Sequence, residues 1–99
     1  MAVETRPYDT ADYLDTPERI EAYLEAVLED GDPAEIRAAL GIVARARGMT
    51  QIARETGLGR ESLYKALSRD GNPELGTILQ VLKALGLRLS VKSAAVAST

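Results

Sequence analysis

The chain has 99 residues, enough for one small domain with a modest stability margin. It contains neither Cys nor His, which excludes disulfides, Cys/His zinc sites and the Ser-His or Cys-His pairs of nucleophilic enzymes. The net charge of −3 hides a division: residues 1–32 hold ten acids against two bases, a balance of −8, and residues 33–99 hold ten bases against five acids, a balance of +5.

No apolar run approaches the roughly 20 residues of a membrane helix. The start, MAVETRPYDTADY, is too polar for a secretory signal, so the cytoplasm is the expected location. The charge division suggests two surfaces with different partners.

In chain order, DTAD at Asp9–Asp12 can cap a short turn carrying Tyr13 and Leu14. Thr16-Pro17 opens the first firm helix, since Thr accepts from an early N–H and Pro fits the first helical position. Ile20, Tyr23, Leu24, Val27 and Leu28 form its apolar stripe, and Glu18, Glu21, Glu25 and Glu29 its other face. Asp32-Pro33 opens a second helix with Ile36, Leu40 and Val43 inward, ended by Arg45, Arg47 and Gly48. Thr50 is expected to cap a third helix reaching Thr56, and Arg60 to Leu67 form a fourth beyond a GLG turn. Asp70-Gly71 marks a loop turn, and Asn72-Pro73 is expected to open a fifth helix with the stripe Leu75, Ile78, Leu79, Leu82 and Leu85, stopped by Gly86. Leu87–Val91 alternates apolar and polar residues and predicts a short strand, which must pair with a second copy, the N-terminal segment or a partner. The division expected is an acidic N-terminal segment and helix over 1–32, a helical domain over 33–91 whose DNA-binding character rests on the residues of the third and fourth helices, and a disordered tail over 92–99.

The third and fourth helices lie close together for a reason. Ala53 is small enough for one helix to pack tightly on the next, and Gly57 can take the left-handed conformation that the turn needs. Leu63, Ala66 and Leu67 then face inward, leaving Arg60, Glu61, Ser62, Tyr64, Lys65 and Ser68 outward. That is the pattern of a helix-turn-helix, whose second helix enters the major groove. Arg60, at its start, suits the two acceptors of a guanine edge. Ser62 suits bases or phosphate, Tyr64 and Lys65 suit phosphate, and Glu61 lies on the same outward face. Thr50 and Gln51 start the preceding helix, where backbone phosphates sit. Residues 45–69 hold six bases against Glu55 and Glu61, a local balance of +4. The bland reading is an αα-hairpin in an ordinary bundle, with Arg60 paired to Glu61 or Glu55 on the surface.

The run ARARGMTQIARETGLGRESLYKALSRDGNPELGTILQVLKALGLRLSV resembles the addiction-module antidote family, HigA-like antitoxins of the phage-repressor-like (Xre) helix-turn-helix fold. The resemblance extends from YDTADYLDTPERIEAYL to LRLSV. It implies an all-α, five-helix phage-repressor-like helix-turn-helix domain with an acidic N-terminal helical extension and a short C-terminal strand. It also implies an antitoxin of a type II module that neutralises a RelE/ParE-like (HigB-like) toxin and represses its own operon, as a homodimer on double-stranded DNA. Two positions depart from the family pattern: Gln51 stands only two residues before Ala53, and Gly59 stands where a capping Ser is expected before the recognition helix.

In this setting the face Glu18, Glu21, Glu25 and Glu29 is a candidate toxin-binding surface, since a toxin that cleaves mRNA is expected to be basic. The same charges also suit a plain solvated face. No enzymatic activity, cofactor, metal, membrane or small-molecule substrate is expected. The carboxylates Asp30 and Asp32 sit at helix ends where caps belong, and no Gly-rich phosphate loop follows a strand. The competing functions are a stand-alone phage-type repressor without a toxin and a protein-interaction module that no longer binds DNA.

Overall fold

The computed structural model describes residues 13–94, which form five helices and no strand. The turn expected at Asp9–Asp12 and the last five residues of the expected tail lie outside the described residues. The helices are α1 (Pro17–Asp30), α2 (Pro33–Arg47), α3 (Met49–Thr56), α4 (Arg60–Ala66) and α5 (Leu75–Ala84).

The first two helices begin where local chemistry dictates. Thr16 Oγ1 accepts from the Arg19 N–H at 3.2 Å, and Asp32 Oδ1 accepts from the Ala34 N–H at 3.1 Å, with proline following each cap. Ile20 and Leu24 are buried as α1 packs on α2, with Tyr23 and Val27 half-buried beside them. Leu28, expected in that stripe, is 50% exposed, because it falls at the margin of the contact with α2.

The junction of α2 and α3 corrects the expected Thr50 cap. Gly48 at φ +108° is both the end of α2, donating to the Ala44 carbonyl at 2.9 Å, and the start of α3, accepting from the Ile52 N–H at 3.1 Å. A single glycine suffices because this conformation reverses the chain without a Cβ clash. Burial of Met49 draws the start of α3 back by two residues, so Thr50 sits exposed inside the first turn.

Two further boundaries differ from expectation. The turn after α4 closes with Gly71 N–H to the Ser68 carbonyl at 3.0 Å, so Arg69 and Asp70 are its central pair. A Cβ at Gly71 would collide with the Lys65 and Ala66 carbonyls. α5 begins at Leu75 behind Glu74, not at Pro73, and its cap makes no side-chain hydrogen bond. Of its expected stripe, Leu82 and Leu85 are buried and Ile78 is half-buried, whereas Leu75 is 66% and Leu79 44% exposed. α5 packs chiefly on α3, whose eight residues are too short to cover the whole apolar arc.

No strand forms at Leu87–Val91 among the described residues. α5 ends in a paired-bond cap: Gly86 N–H donates to Lys83 and Leu87 N–H to Leu82, at 3.0 and 2.8 Å. This fastens Leu87 to the core and commits its N–H, and among the described residues no second strand lies alongside. The core itself is one cluster running from Leu14 through Leu40, Val43, Ile52, Leu63 and Val81 to Leu85.

Candidate nucleic-acid interface

α4 has only seven residues and no side-chain cap, since Gly59 stands at its N-cap. Alone it could not be stable, because isolated helices below about 12 residues are marginal in water. The tertiary structure holds it at three places. Leu63 is fully buried and Leu67 nearly so. α2 passes so close at Gly41 that a Cβ there would strike the Leu67 carbonyl. Arg37 on α2 donates through Nε to the Ser68 carbonyl at 3.3 Å and through Nη2 to the Arg69 carbonyl at 2.7 Å, so a cation closes the chain just beyond α4.

The entry to α4 is also fixed. Gly57 takes φ +74° and donates to the Ala53 carbonyl at 2.9 Å. Thr56 Oγ1 donates to the Ile52 carbonyl at 2.8 Å and accepts from the Leu58 N–H at 3.4 Å, tying α3 to the turn. Sequence reading found Ala53 and Gly57 but missed Gly41, Arg37 and Thr56. Gly41 had a faint signal, as a glycine inside a helical pattern; Arg37 had none, since its carbonyl partners are supplied only by the fold, and Thr56 had only the weak local signal of a threonine in a last helical turn.

With its inner side anchored, α4 presents Arg60, Glu61, Ser62, Tyr64 and Lys65 to solvent. The Arg60 guanidinium stands 5.8 Å from the centre of the Tyr64 ring, one turn away, and joins none of the ion pairs found among the described residues. Ser68, expected outward, is half-buried and donates to the Lys65 carbonyl at 2.8 Å. On α3, Thr50 and Gln51 are exposed, and the Gln51 amide donates to Glu55 at 2.7 Å. Arg45, Arg54 and Arg69 are exposed as well, Arg69 lying 3.9 Å from Glu35.

The acidic candidates lie together on α1, where Glu18, Glu21, Glu25 and Glu29 all face solvent. Lys92 Nζ approaches Glu25 at 3.7 Å, an exposed pair that contributes little to stability. No group of carboxylates able to hold a metal occurs among the described residues, and no helix there is long and apolar enough to cross a membrane.

The described residues form an all-helical fold, with an exposed acidic face on α1 and Arg60, Glu61 and Lys65 exposed on α4. Residues 4–93 match the family described as "Probable addiction module antidote protein", and the chain belongs to that family. It is also 45% identical over 92 residues to an uncharacterized protein of Haemophilus influenzae, covering 93% of this chain and 95% of that one. No solved structure matches. An antidote implies a toxin to be neutralised, so the family supports an antitoxin role for this chain.

Proposed function

We propose that the protein is the antitoxin of a type II toxin–antitoxin module, which neutralises a RelE/ParE-like (HigB-like) toxin and represses its own operon through a phage-repressor-like helix-turn-helix. It works in the cytoplasm as a homodimer and acts by binding rather than by catalysis. The observation that carries the DNA-binding half is α4: a helix too short to stand alone, gripped on its inner side, with Arg60, Ser62, Tyr64 and Lys65 free to enter a major groove. Thr50 and Gln51 precede it at the start of α3, where a phosphate would approach; Gln51 must then exchange its bond to Glu55 for one to the ligand. The antidote half rests on family membership, with the exposed acidic side of α1 as the surface for a basic toxin.

Co-expression tests the antidote half. The neighbouring small reading frame, expressed alone, should arrest growth, and co-expression of this chain should restore it. A harmless neighbour, or equal harm in both cases, makes a stand-alone repressor the better account. Titration with a fragment of the chain's own upstream region tests the other half. Phosphate contacts make log affinity fall linearly with log salt, whereas affinity independent of salt would leave only a protein-interaction module.

A further inference from the structure

Residues 87–92 form a segment with unmet bonding capacity. Leu87 is fixed at its start by the bond to Leu82, and Lys92 lies near Glu25 at its end. Between them the backbone of Arg88, Leu89, Ser90 and Val91 makes no hydrogen bond among the described residues. Leu89 is 52% and Val91 96% exposed, so two apolar side chains of the alternating pattern lie largely in water. Alternating side chains on an unpaired backbone form a template for strand addition.

We propose that residues 87–91 pair antiparallel with the same segment of a second copy of this chain, about a two-fold axis through Leu89. The proposal rests on the homodimer reading above and names its interface. The register follows from the residues themselves. Centred on Leu89, the pairing sets Leu89 against Leu89 and Leu87 against Val91 on one face, with Arg88 against Ser90 on the other. Lys92 then falls opposite Gly86, which has no side chain to meet it. A shift of two residues one way opposes Arg88 to Arg88, and the other way opposes Arg88 to Lys92, so both put like charges face to face. A shift of one sets Leu87 against Lys92 and Leu89 against Ser90, mixing the two faces.

The hydrogen bonds are compatible with the same arrangement. The Leu87 N–H is already spent within the chain, so Leu87 belongs at a non-hydrogen-bonded position. Two residues on, Leu89 is then non-hydrogen-bonded as well, and Arg88 exchanges both backbone bonds with Ser90 of the second copy. Non-hydrogen-bonded pairs bring side chains closest, with Cα atoms about 4.5 Å apart, which places the two Leu89 side chains in contact at the axis. The result is an isologous interface.

The full chain has no cysteine, so single-cysteine variants report the register directly. Oxidised Leu89→Cys should run as a covalent dimer, because the two sulfurs meet at the axis. Arg88→Cys and Ser90→Cys, each offset along the strands from its own copy, should not link to themselves. In sedimentation, Leu89→Arg should raise the dimer dissociation constant about tenfold or more, with helicity unchanged because Leu89 lies outside the core. The proposal is overturned by a monomer at every concentration, by a dimer that survives Leu89→Arg, or by linkage equal at all three positions. Pairing of the segment with residues 1–12 of its own chain would appear as the first of these. Failure of the DNA-binding reading looks different: the linked Leu89→Cys dimer would form and show no salt-dependent affinity for DNA.

Discussion

α1 and α4 are opposite solutions to making a helix. α1 has 14 residues, a side-chain cap, an N1 proline and an apolar stripe that buries Ile20 and Leu24. α4 has seven residues, a glycine cap and a fully buried anchor in Leu63, with its far end tied down by Arg37 from another helix. The acidic helix is written locally; the basic one is imposed by its surroundings. A helix that must fit a groove can be short and bare on its outer side only if the rest of the fold supplies its stability.

Cutting each helix from its source of stability sharpens that contrast. Leu63→Ala should have the largest effect, lowering unfolding free energy by about 2–5 kcal/mol in chemical denaturation, because α4 loses its deepest contact. Arg37→Met should cost about 1.5–3 kcal/mol and speed amide exchange around 67–71, since two carbonyls lose a charged donor. A loss spread evenly over all five helices would mean that Arg37 does not act on α4 in particular.

Function should divide along the same line. Arg60→Ala should weaken operator binding by about 1–3 kcal/mol and relax preference at one base pair, while Lys65→Ala should weaken all sequences alike and lower the salt slope. If neither changes DNA affinity, the groove assignment of α4 is wrong. Thr16→Ala should lower stability by about 1 kcal/mol and fray only the first turn of α1, visible as faster exchange there and nowhere in α4. Smallest, Glu21→Lys with Glu25→Lys should reduce affinity for the co-encoded toxin about threefold in all at low salt and leave DNA binding unweakened. Equal toxin affinity in wild type and variant would assign those charges to solvation alone.

Legibility followed the same division. The caps at Thr16 and Asp32, the left-handed Gly57, and the inward Leu63 and Leu67 were all readable from local pattern. Thr50 was misread as a cap because burial of Met49 extends α3 backward, an effect of packing. Leu75 and Leu79 were misread as core because a periodic stripe says which side of a helix is apolar, not how much of it a short neighbour can cover. The strand expected at Leu87–Val91 does not form among the described residues, because alternation describes a strand's faces and cannot provide its partner.

The sequence by itself determined the five helices of the described residues, most of their ends, the division of charge, and the separation of α4's inner and outer residues. These follow from periodicity, capping and charge, which act within a few residues. Only the tertiary structure decided how α4 is held: Gly41 against the Leu67 carbonyl, and Arg37 on Ser68 and Arg69. Those contacts set backbone carbonyls against residues distant in the chain, and a carbonyl looks the same in every residue until folding brings a neighbour to it.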